Sequence, residues 1–352
     1  MNAPTKVVFY AAQLTLFAVR NKLPVRYYFH CAVPRFALAD LSPGEVQYIV
    51  PGTEKAYKQW IRGKKGLEAR IQPLDSTDGG DILWIGDVRK ASKVVLYFHG
   101  GGFCIPAGVG HFELCWNAYV KTGAEAGVDV AVAMLRYSLS PDAKFPVQLR
   151  QQVAALKALL DAGVKASDII IGGDSAGGNL TTQLLGHLLH PHPDVNTIQL
   201  SEPLAAAVAI SPWLLTDTSG PTYKEYEGND MVTASSAHRL AVSYFGTEAE
   251  LEAANSHPNR WVLPLQGAAE EDDWFAEMDS LVSCFYVTAG SREVLVDDAR
   301  RLVRRLEAAK CEVRYDEGDG EAHDFIYLEA HLGEVGEATK RMKAWFRTVI
   351  QP

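Results

Sequence analysis

A chain of 352 residues, 47% hydrophobic and 22% charged, has enough apolar sequence to bury a large core in one sizeable domain or two ordinary ones. Its net charge of −9 excludes nucleic acid as the expected partner, because phosphate binding needs a cationic face. The five cysteines (Cys31, Cys104, Cys115, Cys284 and Cys311) are odd in number, scattered and without a CxxC pair. That pattern predicts reduced thiols in a cytoplasmic protein, with no disulfide framework and no zinc.

The first element is the apolar stretch Val7–Val19, followed by Arg20 and Lys22. It is too short to span a bilayer, which needs about 20 residues. One lysine before it and no A-x-A-like site after it make a poor signal peptide. The stretch predicts a helix packed on the body or over the mouth of a site. The alternative is peripheral membrane contact, with Lys6, Arg20, Lys22 and Arg26 at the headgroups.

From Gly66 onward, short apolar runs alternate with helical patterns. "GLEARIQPL" and "DILWIGD" read as two early strands joined by the "DSTDGG" turn. "KVVLYF", "VDVAVAMLRY", "DIIIGG", "LAAAVAIS", "SCFYVTAG" and "CEVRYDEG" follow, apolar on both faces as strands of a covered parallel sheet should be. Helical stretches fall between and after them at 146–163, 176–190, 297–310 and 337–350. In the third, Ala299, Leu302, Val303 and Leu306 recur at helical spacing, with Arg301, Arg304 and Arg305 opposite. The expected fold class is therefore α/β, with a mainly parallel central sheet flanked by helices.

Two regions break the alternation. Residues 1–60 and 212–280 predict a helical cap over the C-terminal edge of the sheet, leaving 61–211 and 281–352 as the core. The run "EEDD", Glu270–Asp273, reads as a solvated loop. His187, His190 and His192 in "HLLHPHP" read as a frayed helix end entering a turn rather than as metal ligands.

Chemistry in open α/β sheets gathers at the carboxyl ends of strands. "GDSAG" sets Ser175 between an apolar strand and a helix, the context a G-x-S-x-G nucleophile elbow requires. "HGGGF" ends an earlier strand. Its bare Gly101 and Gly102 can bring backbone N–H groups against a developing oxyanion, with the N–H of Ala176 as a third donor. His99 reads as a partner that fixes this loop. In this fold the acid and then the base follow the serine. His323, after the last strand, is the candidate base, and Glu293 is the first acid after the preceding strand. Asp297 is the alternative acid; with Asp298 it falls at a helix start, where acids serve as caps and dipole partners.

These pieces together resemble the hormone-sensitive-lipase-like family of α/β-hydrolases. The resemblance is carried by "HGGGF", "YSLSP", "GDSAGGNL", "SPW", "GSREVLVDD" and "EAHDF", in family order over about residues 90–330. It implies an α/β-hydrolase core with a helical cap, and hydrolysis of short- to medium-chain acyl esters without metal or cofactor. Ser175 would be the nucleophile, His323 the base and Glu293 the acid, with Gly101, Gly102 and Ala176 as oxyanion hole. Phe103 and Trp213 would line the substrate pocket, and Trp274 would either join them or pack in the core. Glu293 stands where many relatives have Asp, "YSLSP" replaces the commoner Y-R-L-A-P, and "QGAAEEDDWFAEM" enlarges the cap. The same triad would also serve acyl transfer, thioester release or lactone formation. A small-molecule receptor is the non-catalytic alternative, although receptors of this family have lost the histidine that His323 supplies here. Oligomeric state cannot be read from the sequence.

Overall fold

Val94–Phe98, Val130–Leu135 and Ile169–Ile171 are buried on consecutive positions, hence on both faces. Such runs are stable as strands only where helices cover the sheet on each side. The computed structural model, which describes residues 3–257, 259–266 and 273–351, places them at the centre of an eight-stranded sheet. The strands are β1 Ile71–Pro73, β2 Asp81–Ile85, β3 Lys93–Phe98, β4 Val130–Arg136, β5 Ile169–Asp174, β6 Ala206–Ile210, β7 Phe285–Gly290 and β8 Val313–Gly318. Their spatial order is β1-β2-β4-β3-β5-β6-β7-β8. Only β2 runs antiparallel to its two neighbours; the pairs from β4 to β8 are parallel.

Parallel pairing demands crossovers, and the sequence supplies them as helices. Val147–Asp161 joins β4 to β5, Ala176–Leu189 joins β5 to β6, and Val296–Ala308 joins β7 to β8. The last shows its seam as expected: Ala299, Leu302, Val303 and Leu306 are buried while Arg304 is exposed. Glu337–Ile350 closes the chain. Every strand and crossover helix expected from the sequence is present, because period and length agree at each.

The helices of residues 1–60 and 212–280 pack against one another. The N-terminal five are Ala3–Arg20, Val25–His30, Ala32–Asp40, Pro43–Ile49 and Thr53–Arg62. Between β6 and β7 stand Pro221–Tyr226, Ala234–Phe245 and Glu248–Ser256. The two groups are stitched by backbone carbonyls: Arg35 donates to Glu227 O and Asp230 O, Arg239 Nη1 to Ala39 O (2.8 Å), and Gln13 Nε2 to Gly228 O (2.7 Å). Gln47 Nε2 reaches the loop after β3, donating to Cys104 O at 2.8 Å. Of the expected acidic loop, Glu270–Asp272 lie outside the described residues.

Candidate active site

The turn between β5 and its helix is one residue long. Ser175 occupies it with φ 52° and ψ −116°, a conformation that costs about 1–3 kcal/mol unless its surroundings enforce it. They do so here. Ser175 N–H donates to Ile210 O (2.8 Å), and Ser175 O accepts from the N–H groups of Asn179 and Trp213 (both 3.2 Å). The flanking glycines are a packing requirement. A Cβ on Gly177 would lie 1.9 Å from Phe98 O, and one on Gly173 2.3 Å from the same atom. The end of β3 touches the elbow, and no side chain fits between them.

His323 follows β8 and places Nε2 at 3.0 Å from Ser175 Oγ. On its other side, Nδ1 stands 3.6 Å from Glu293 Oε2, an ion-pair contact slightly longer than a hydrogen bond. Glu293 is fully buried, and its Oε2 accepts from Ser211 Oγ (2.7 Å) and from Gly290 N–H (3.1 Å). Ser211 Oγ in turn accepts from Asp324 N–H at 3.1 Å. One hydroxyl thus ties the acid to the backbone beside the base. Burial disfavours the imidazolium of His323, but Glu293, and behind it the charges of Asp230 and Asp174, outweigh that and raise its pKa above 6.5. Asp297 lies elsewhere, 3.1 Å from Arg300 Nη1. Asp298 accepts from the N–H groups of Leu214 (2.6 Å) and Leu215 (2.9 Å), and burial pushes its carboxyl up to about 7.

Gly101, at φ +102°, turns the chain so that its carbonyl accepts from Cys104 and Ile105. Among the described residues, the N–H groups of Gly101, Gly102 and Ala176 donate to no protein acceptor. His99 Nδ1 lies 2.8 Å from Gly100 O, which can only accept, so that nitrogen carries the proton. Its ring stacks on Tyr137 at 4.3 Å, and burial pushes its pKa down to about 3. His99 therefore fixes the loop, as expected.

Beneath the site lie two adjoining buried carboxyls. Asp174 accepts from Tyr97 O–H (2.6 Å) and Gly100 N–H (2.9 Å), and His111 Nε2 stands 3.4 Å away. Burial opposes its charge, yet His111 and these donors prevail and hold its carboxyl below the usual range. Asp324 is pushed well up by burial, then by the charge of Asp174 and the hydrogen bond the two share. A third buried carboxyl, Asp230, accepts from Val294 N–H at 2.8 Å, next to Glu293. Burial, against the pull of His323, pushes it up to about 6.

Phe103 stacks on Tyr244 at 3.8 Å, with Trp213 5.7 Å from the Phe103 ring. Together with Asn179, Leu215, Val262 and Leu263 they line a small cavity one turn along the helix from Ser175. Trp274 is not there. It stacks on His190 at 4.4 Å and packs against Gly186, far along the helix that Ser175 begins. The other two histidines of that stretch are also engaged: His187 Nε2 faces Asn196 O, and its Nδ1 accepts from His192 N–H.

The sequence reading gave no role to Ser211, Asp174, Asp324 or Asp230. The first three stand inside motifs already singled out, "SPW", "GDSAGG" and "EAHDF", and their position at strand ends was the available signal. Asp230 had none.

The sequence profile of the alpha/beta hydrolase fold family matches residues 95–327, and the chain belongs to that family. An acetyl-hydrolase of Streptomyces hygroscopicus is 28% identical over 267 residues, 75% of this chain and 79% of that protein. An ethyl acetate hydrolase of Pseudomonas putida is 26% identical over 258 residues, 71% of each. Among solved structures, an esterase of the bacterial hormone-sensitive lipase family superposes with TM-score 0.62 at 24% identity, covering 91% of this chain and 99% of that one. A thermostable esterase from Pseudomonas putida reaches TM-score 0.72 at 18% identity, covering 94% and 98%. At these identities the structural likeness is one of fold. The chain is an enzyme of the esterase kind that its relatives represent.

Proposed function

We propose that this protein is a serine carboxylesterase working through an acyl-enzyme, with Ser175 as nucleophile. The observation that carries the reading is the 3.0 Å contact between His323 Nε2 and Ser175 Oγ, with a buried carboxylate behind the other ring nitrogen. Neutral His323 takes the proton of Ser175 as Oγ adds to the ester carbonyl. The carbonyl oxygen becomes an oxyanion, and the free N–H groups of Gly101, Gly102 and Ala176 stabilise it. Collapse breaks the bond to the alcohol oxygen, which leaves with the proton from His323. Water, deprotonated by the same imidazole, then adds to the acyl-enzyme, and a second collapse releases the acid and restores Ser175. Glu293 orients the ring and offsets its positive charge.

Short to medium acyl chains are the proposed substrates, in keeping with the acetyl-hydrolase and the ethyl acetate hydrolase among the relatives. The test is turnover of p-nitrophenyl acetate, butyrate and octanoate by wild type and Ser175→Ala, with mass spectrometry of a fluorophosphonate adduct. Serine-dependent turnover with the label on Ser175 is expected, highest on the shorter esters. Labelling without turnover would replace hydrolysis by transfer to another acceptor, and neither would remove the nucleophile assignment.

A further inference from the structure

Helices at a protein surface turn polar side chains to water and apolar ones to the core. The helix Ala3–Arg20 departs from this rule. Its inner side is buried through Leu14 and Ala18. On its outer side stand Val8 (67% exposed), Phe9 (51%), Leu16 (49%) and Val19 (58%). At about 100° per residue these four fall within one sector of roughly 100°, with exposed Ala12 among them. Phe29 and Val33, on the two helices packed against it, are also exposed. Outside residues 8–49, only Val109 and Val335 are large apolar side chains of comparable exposure among the described residues. An apolar face of this kind marks an interaction surface.

The charges nearby identify the partner. Residues 1–39 carry five cations, Lys6, Arg20, Lys22, Arg26 and Arg35, and no acid, in a chain whose net charge is −9. Three of the five are engaged internally: Lys6 with Asp40, Arg26 with Glu334, and Arg35 with the carbonyls of Glu227 and Asp230. The exposed side chains of Arg20 and Lys22 make no ion pair or hydrogen bond among the described residues. We propose that this face docks on an anionic lipid bilayer, with Phe9, Leu16 and Val19 in the acyl boundary and Arg20 and Lys22 on the headgroup phosphates. The helix would lie in the plane of the surface, since no helix among the described residues is long and apolar enough to cross a membrane. A second copy of the chain fits less well, because the same three helices would offer those two cations no acid before Asp40, which Lys6 and Tyr10 already hold.

The inner side of this layer holds the catalytic end of the sheet. Tyr28 O–H donates to Gly320 O at 3.0 Å, three residues before His323, and Gln13 holds Gly228 in the cap. The docked layer is therefore continuous with the loop that carries the candidate base.

Flotation of the full chain with phosphatidylcholine vesicles, with and without phosphatidylserine, tests the proposal at physiological salt. Binding only to the anionic vesicles is expected. Arg20→Gln with Lys22→Gln should weaken it about 30-fold, from the usual contribution of each surface cation. Phe9→Ser with Leu16→Ser should abolish it. Turnover of soluble p-nitrophenyl acetate should be unchanged in both double variants. Failure of the wild type to bind, or equal binding to both kinds of vesicle, overturns the proposal. So does a sedimentation dimer that Phe9→Ser with Leu16→Ser converts to monomer, which would assign the face to a second copy. Should the apolar variant fail to fold, the charge variant still decides, because those two side chains make no hydrogen bond or ion pair among the described residues.

Discussion

Ser211→Ala removes an oxygen with two buried partners and no access for water to replace it. Its Oγ donates to Glu293 Oε2 at 2.7 Å and accepts from Asp324 N–H at 3.1 Å, and Ser211 is 2% exposed. A hydrogen bond to a charged group contributes about 1.5–3 kcal/mol, and leaving the Asp324 N–H unpaired adds to the loss. Glu293 Oε2 would keep only Gly290 N–H, at 3.1 Å. With His323 Nδ1 3.6 Å away, the carboxylate then has room to swing off the ring. The expected outcome is a stability loss of about 2 kcal/mol in urea unfolding. The same geometry predicts a 10- to 100-fold fall in kcat, which is roughly 1.4–2.8 kcal/mol of barrier, with KM nearly unchanged. Ser211 sits at φ 44°, where glycine is more comfortable than alanine, so Ser211→Gly separates the hydroxyl from the backbone. Both variants should lose kcat alike. Wild-type kcat in Ser211→Ala, or full recovery in Ser211→Gly, would refute the role given to the hydroxyl.

The proposed mechanism needs His323 neutral, and its pKa is raised above 6.5, so kcat/KM should fall along an acidic limb centred above that pH. Stability runs the other way. A group that binds its proton more tightly when folded contributes fully below pH 6.5, and the contribution vanishes as pH rises through the higher folded value. Asp230→Asn removes one of the charges that raise His323, so the acidic limb of kcat/KM should move to lower pH, and an unmoved limb would contradict this. Gly177→Ala should yield insoluble protein, since its Cβ would lie 1.9 Å from Phe98 O and neither backbone can retreat; soluble expression at wild-type level would contradict the packing argument. Asp324→Asn should fold and turn over ester near the wild-type rate, because it keeps the backbone N–H bonded to Ser211 and an amide that can donate toward the neighbouring Asp174. Asp174→Asn should lose about 3 kcal/mol or more, measured by urea unfolding, because it removes the ionised partner of a buried network.

The parts of the site legible in the sequence are those whose geometry is local. Ser175 is placed by a strand, one residue and a helix, all contiguous. The loop at Gly101 and Gly102 needs only the strand before it, and His323 only the strand that ends at Gly318. Glu293 was separable from Asp297 because the loop after a strand and the first turn of a helix have different uses for an acid, and Asp297 does pair within its helix. Ser211 was not legible in the same way. Its bonds to Glu293 and Asp324 span 82 and 113 residues, and they exist because β6, β7 and β8 lie side by side. Asp230 comes from a cap segment with no periodicity, and Trp274 could be assigned only once His190 and Gly186 were seen beneath it.

The Asp174–Asp324 pair shows why local motifs nonetheless converge on one point. Asp174 precedes the candidate nucleophile, Asp324 follows the candidate base, and Gly100, whose N–H Asp174 accepts, opens the loop of the candidate oxyanion donors. Asp174 joins the ends of β5 and β3 through Tyr97 O–H and Gly100 N–H, and the N–H of Asp324 ties the loop after β8 to Ser211 at the end of β6. Tyr97 and His111 complete the shell of Asp174 directly beneath the strained turn at Ser175. The acids in "GDSAG" and "EAHDF" therefore stand against the backbone that carries the candidate catalytic atoms.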